Sequence, residues 1–160
     1  MRVFRSLTVA AVLLVSREAL AQTATQVVRI QVNAINQIGV SGDPAPLVIT
    51  TAVAGQAPTS VVATGTSYSI TTNESNKKIT AALDQPLPAG VALAVALVAP
   101  PGAQSAGEVM LATSSADVVT GVSALSSTGL AITYRLSADA TVRMPVPAAR
   151  TITFTIVSGP

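Results

Sequence analysis

Apolar and polar residues alternate with a period of two along most of the chain beyond residue 25, and this pattern predicts β-strands. The first predicted strand is Gln26–Ile35. Val28, Ile30, Val32 and Ala34 share one face, and Arg29, Gln31 and Asn33 the other. Ile38 and Val40 continue the alternation past a bulge. Gly42-Asp43-Pro44-Ala45-Pro46 then breaks the chain. Strands are predicted over Leu47–Val53, Ser60–Ala63 and Ser67–Thr72. Asn73–Lys77 has the composition of a hairpin end, with Lys78–Leu83 returning. Val91–Val98 reads VALAVALV and is the best candidate for a central strand. Its length and the flanking Pro86, Pro88, Pro100 and Pro101 favour a strand over a helix. Glu108–Thr113 and Asp117–Ala124 follow. Ser126–Gly129 is predicted as a turn, Leu130–Leu136 as a strand, and Arg150–Val157 as the last strand, alternating Ile152, Phe154 and Ile156 against threonines.

These elements amount to nine or ten short strands, and no segment sustains a capped 3.6-residue period. An all-β, antiparallel two-sheet β-sandwich buries one apolar face from each strand, and a small β-barrel is the alternative. The core expected from this is aliphatic, with Tyr68, Tyr134 and Phe154 as its few large members. Leu93 and Val95 are expected inside it, and Thr153 outside.

The N-terminal segment carries a different pattern. Arg2 and Arg5 precede the apolar run Leu7–Val15, and Ala19-Leu20-Ala21 supplies the small-x-small site of a signal peptidase before Gln22. These features predict a signal peptide over 1–21 and a single exported domain over 22–160. The apolar run is too short to cross a bilayer as a helix, and Arg17 and Glu18 block its extension. The expected address is extracellular, cell-surface or periplasmic, without membrane insertion once the signal is gone. Intact-mass measurement of secreted material should give a chain beginning at Gln22. A product that retains Leu7–Val15 would refute this address.

Removal of the signal changes the charge picture. The whole chain has nine Lys+Arg and seven Asp+Glu. Arg2, Arg5, Arg17 and Glu18 leave with the signal, so the mature side chains balance at net zero. Six scattered cations and almost no aromatics supply neither a basic stripe nor stacking platforms, so no nucleic acid partner is expected.

Composition also narrows the chemistry. The chain has no Cys, no His and no Trp. This removes disulfides, thiolate nucleophiles, His general bases and the usual His/Cys metal sites. Ser75-Asn76-Lys77-Lys78 has S-x-x-K spacing, but the companion S-D-N and K-T-G motifs are missing and the tetrapeptide sits in a turn. The mature acids Asp43, Glu74, Asp84, Glu108, Asp117 and Asp139 stand singly between strands, with no calcium-loop spacing. Asn73-Glu74-Ser75 is a glycosylation sequon, which matters only in a glycosylating cell. No catalytic residue, cofactor or metal is expected.

The Ala19-Leu20-Ala21 site, the Gly42-Asp43-Pro44 turn, the stretch Thr71–Thr80 and the closing Arg150–Ile156 together resemble small secreted bacterial β-sandwich proteins of immunoglobulin-like or pilin-like build. More loosely, the chain is similar to fimbrial subunits and to WxL-type surface domains, without the Trp-x-Leu signature. The resemblance implies a non-enzymatic structural or surface-assembly role, as a pilin-like, matrix or coat subunit. The partners would be further copies of itself or other surface proteins. The alternative is a small secreted binding or adhesion module that uses the loops at one end of the sandwich. Gln26–Ile35 lies just after the cleavage site and before a Gly/Pro-rich connection. It can be a first strand paired within its own domain, which the usual pairing of consecutive strands favours. It can also be a strand donated to a neighbour, with Val28, Ile30 and Val32 filling alternate pockets.

Overall fold

The computed structural model describes residues 22–143 and 148–159. The signal-cleavage residues Ala19, Leu20 and Ala21 lie outside the described residues. The chain divides into two units, Met1–Val32 and Asn33–Pro160.

The second unit contains nine strands, with no helix among the described residues: β1 (Asn36–Val40), β2 (Val61–Thr72), β3 (Lys77–Leu83), β4 (Val91–Leu97), β5 (Gln104–Ser105), β6 (Val109–Met110), β7 (Ala116–Val122), β8 (Leu125–Ala138) and β9 (Ile152–Ser158). They form two antiparallel sheets, in the orders β1-β2-β8-β4-β6 and β5-β7-β3-β9. The five-stranded sheet curls into a half-barrel. The arrangement agrees with the two-sheet sandwich that the alternation predicts.

The alternating apolar residues meet between the sheets. Tyr68, Ile70, Leu93, Val95, Leu97, Ile132 and Tyr134 come from one sheet. Ile79, Ala81, Leu83, Val118, Val119 and Val122 come from the other, and all are buried. Phe154 departs from the expectation. It packs against the core but stays half-buried, on a strand that among the described residues is hydrogen-bonded on one side only.

Two bulges create the curl. β2 and β8 shift register between Ala63 and Thr66, and again between Tyr68 and Ile70. Gly65 (φ +98°) sits in the first bulge and Gly129 (φ +70°) in the second. Both angles lie in the left-handed region that L side chains avoid, and each bulge bends its strand.

Several boundaries differ from the alternation reading. Ser126–Gly129 is not a turn. It runs within β8, because Gly129 is accommodated as a bulge while Ser126 and Ser127 pair with β2. Ser60–Ala63 and Ser67–Thr72 are parts of the one strand β2. Leu47–Val53 forms no strand and contributes only an isolated bridge between Ala52 and Pro58. Of Glu108–Thr113, only Val109 and Met110 pair, with β4. The turn after Thr72 does not close a hairpin. β2 and β3 belong to different sheets, so this turn carries the chain across the sandwich.

The tyrosines give this core a pH limit. Tyr68 Oη donates to the Val98 carbonyl at 2.7 Å. Burial pushes the Tyr68 hydroxyl up to about 12, and burial also raises Tyr134. The folded protein thus keeps protons that the unfolded chain releases near pH 10. Stability should be full below about pH 10 and fall as pH rises from there toward about 12, at up to about 1.4 kcal/mol per pH unit for one such tyrosine. Urea midpoints measured across this range should show the fall. Tyr68→Phe should make the fall shallower, whatever the variant's baseline stability, with Tyr134 carrying what remains.

Candidate functional site

The residues of Gln26–Ile35 do not form the predicted strand: pairing begins only at Asn36. Residues 22–35 are in no strand, and the apolar face expected from the alternation is in solvent. Val27 is 89% exposed, Val28 72%, Ile30 91% and Val32 81%.

The reason lies one step further along, in how the chain enters β1. The Asn73 side chain grips the incoming backbone twice. Its Oδ1 accepts from the Ile35 N–H at 2.8 Å, and its Nδ2 donates to the Asn33 carbonyl at 2.8 Å. The Asn73 N–H also donates to the Ile35 carbonyl at 3.2 Å. Beside this clamp, Thr72 Oγ1 donates to Asn36 Oδ1 at 2.8 Å and accepts from the Glu74 N–H at 3.1 Å. Asn36 Nδ2 donates to the Glu74 carboxylate. Lys77 Nζ lies 2.9 Å from that carboxylate and 3.3 Å from Ser158 Oγ. The Asn36 amide, followed by Lys77, holds the Glu74 carboxyl below its ordinary range. One polar network thus ties the start of β1 to the β2–β3 turn and to the end of β9. Sequence reasoning placed Asn73–Lys77 in a turn and missed its role as a clamp. The one available signal was the density of side chains able to bond nearby backbone, Thr72-Asn73-Glu74-Ser75-Asn76.

The second feature is the flank that the clamp borders. Each sheet has two edges. On one flank the edges are β5 and β6, of two residues each, joined by the segment that crosses between the sheets. On the other flank they are β1 and the seven-residue β9, which pairs with β3 alone among the described residues. Asp84 N donates to Thr151 O, and Gly159 N donates to Asn76 O. Those bonds fix the phase of the ladder, because antiparallel bonding alternates along the strand. Thr153, Thr155 and Val157 bond toward β3. The N–H and C=O of Ile152, Phe154 and Ile156 therefore point to the open edge, while their side chains point inward and are half-buried.

The other sequence candidates resolve into separate, solvated contacts. Lys78 pairs with Asp117 at 3.0 Å, and Arg135 Nε donates to Glu108 at 2.8 Å. Asp84 Oδ1 accepts from the Thr151 N–H at 3.0 Å. Lys78 of the S-x-x-K stretch thus sits on β3 and is engaged with Asp117, away from the turn that holds Ser75. Among the described residues, no three acidic side chains group closely enough to hold a metal ion. No helix among the described residues is long and apolar enough to cross a membrane. The hollow bordered by Pro58, Gly90, Val91, Ser137 and Asp139 is open to solvent and gathers one carboxylate. The chain matches no protein-family model, no curated protein and no solved structure.

Proposed function

We propose that this protein is an exported, non-enzymatic structural subunit of a surface assembly, and that the segment before β1 links one copy to the next. The observation that carries this reading is the exposed apolar row Val28, Ile30 and Val32, in a segment with strand-forming alternation and no strand partner. β-branched residues in such a row favour extended, paired backbone, and an edge of another sheet satisfies both the backbone and the side chains. The near-balance of charge in the mature sequence supports it, since little self-repulsion opposes association. The scattered carboxylates, with Glu74, Glu108 and Asp117 each in a separate ion pair, fit a role without chemistry.

Size-exclusion chromatography and electron microscopy of the exported chain over a range of concentrations test the proposal. Oligomers or filaments that grow with concentration are expected. A monomer at every concentration would overturn it and favour the sandwich-end binding module instead.

A further inference from the structure

Resting on that reading, we infer that the acceptor is the open edge of β9 in a second copy of this chain. The segment 22–32 would add to it as an antiparallel fifth strand of the four-stranded sheet.

Three observations select this edge. Among the described residues it is the longest strand at the end of a sheet, seven residues against five in β1 and two in each of β5 and β6. It carries three inward apolar side chains, Ile152, Phe154 and Ile156, that the domain leaves half-buried. β1 offers on that face Ile38 half-buried and Val40 in solvent, and its third position is Asn36, whose amide is already engaged with Thr72 and Glu74. The backbone groups that point out of β9 also belong to those same three residues. A donated strand can therefore satisfy the backbone and cover the apolar row in one register.

The segment matches this edge in period and composition. With Ile30 opposite Phe154, Val28 lies opposite Ile156 and Val32 opposite Ile152. All six side chains then share the inner face, and Arg29 and Gln31 remain outside with Thr155 and Thr153. Antiparallel addition continues the geometry of every strand pair in the domain. Eleven extended residues reach roughly 36 Å, more than the roughly 23 Å of a seven-residue strand. No Gly or Pro occurs from Gln22 to Ile38, so the sequence supplies no turn to fold the segment back. The Asn73 clamp on Asn33 and Ile35 fixes the residues that follow the segment. A second copy is the occupant that this geometry serves.

The absence of native cysteine makes the test direct. In the inferred register Arg29 and Thr155 form a non-hydrogen-bonded pair, with Cα atoms about 4.5 Å apart, within disulfide reach. Isotopically heavy Thr155→Cys chain is mixed with light Arg29→Cys chain, oxidised, and digested for mass spectrometry. Linked 29–155 peptides that combine one heavy and one light half are intermolecular by construction. They should exceed 29–39 links, from a parallel mixture with Gly39→Cys on β1, by about tenfold or more. Adding Ile30→Asp to the Arg29→Cys chain should abolish the 29–155 link, because its carboxylate would be buried among Ile152, Phe154 and Ile156. Ile30 is solvent-exposed in the monomer, so this variant keeps its fold. Oligomers that form without the 29–155 link, or with 29–39 in excess, would overturn the assignment to β9 and leave the linking role standing. A chain that never associates would overturn both.

Discussion

Leu93→Ala is expected to cost roughly 2–5 kcal/mol of folding stability, the range for truncating a packed, buried leucine. Leu93 lies in β4 between β8 and β6, opposite Leu136, and its carbonyl accepts from the Leu111 N–H at 2.8 Å. Both the strand and its flanks are therefore fixed. The buried side chains of this core are mostly aliphatic; Val95 and Leu97 sit on the paired strand β4, and Leu111 follows β6, tied by its N–H to Leu93. Such a wall closes poorly over a lost isobutyl group, so a cavity remains and adds to the transfer cost. Thr153→Ala is the comparison. Thr153 is exposed on the outer face of β9, and its removal should stay within about 0.5 kcal/mol. Denaturant midpoints of the two variants, at unchanged slope, decide the matter. A midpoint for Leu93→Ala that coincides with the parent's would place β4 on the surface.

The core was legible because period-two alternation reports one buried face wherever a strand is paired on both sides. Val91–Val98, Lys78–Leu83 and Leu130–Leu136 were placed within a residue or two, apart from the N-terminal extension of β8. Reading glycine as a turn signal failed at Gly129. The same left-handed backbone serves a turn or a bulge, and only the partner strand decides which. Pairing across the two sheets was also hidden. Thr72–Lys77 has the composition of a hairpin end, yet its neighbours Thr72 and Lys77 lie in different sheets. Turn chemistry specifies a reversal of direction and not the sheet to which the returning strand belongs.

The linking segment shows the same limit from the other side. Alternation in Gln26–Ile35 is regular, and by period alone it reads as a strand as β4 does, although β4 is apolar on both faces. The Asn73 clamp holds Asn33 and Ile35 where the ladder starts at Asn36, while Val28, Ile30 and Val32 before it are exposed. A side chain that bonds backbone 38 and 40 residues away leaves no periodic trace in sequence. The open edge of β9 was invisible for a related reason. Ile152, Phe154 and Ile156 alternate like any core strand, and only the sheet order reveals that, among the described residues, no strand is hydrogen-bonded to one side of it.

Deleting residues 22–32 should leave a folded, exported monomer that no longer assembles. The deletion stops at Val32 because Asn33 and Ile35 are held by Asn73, and Asn36 opens β1. The clamp and all nine strands are thus retained. The removed apolar side chains are largely in solvent, so their loss should shift the unfolding midpoint by no more than a surface change does, about 0.5 kcal/mol. Assembly should respond in the opposite way. If copies are joined through this segment, each junction depends on its main-chain bonds and on the burial of Val28, Ile30 and Val32, at roughly 1.5–3 kcal/mol for each side chain fully covered. Removing the segment removes the whole junction, and high concentration should not restore it. A synthetic peptide of residues 22–32 should then bind the truncated chain, and the same peptide with Ile30→Asp should not. Sedimentation velocity of the full-length and truncated proteins, alongside their thermal unfolding curves, reads both effects together. A truncated chain that still forms oligomers would place the junction elsewhere on the domain. One that unfolds would show the segment to be a part of its own fold rather than a link to the next copy.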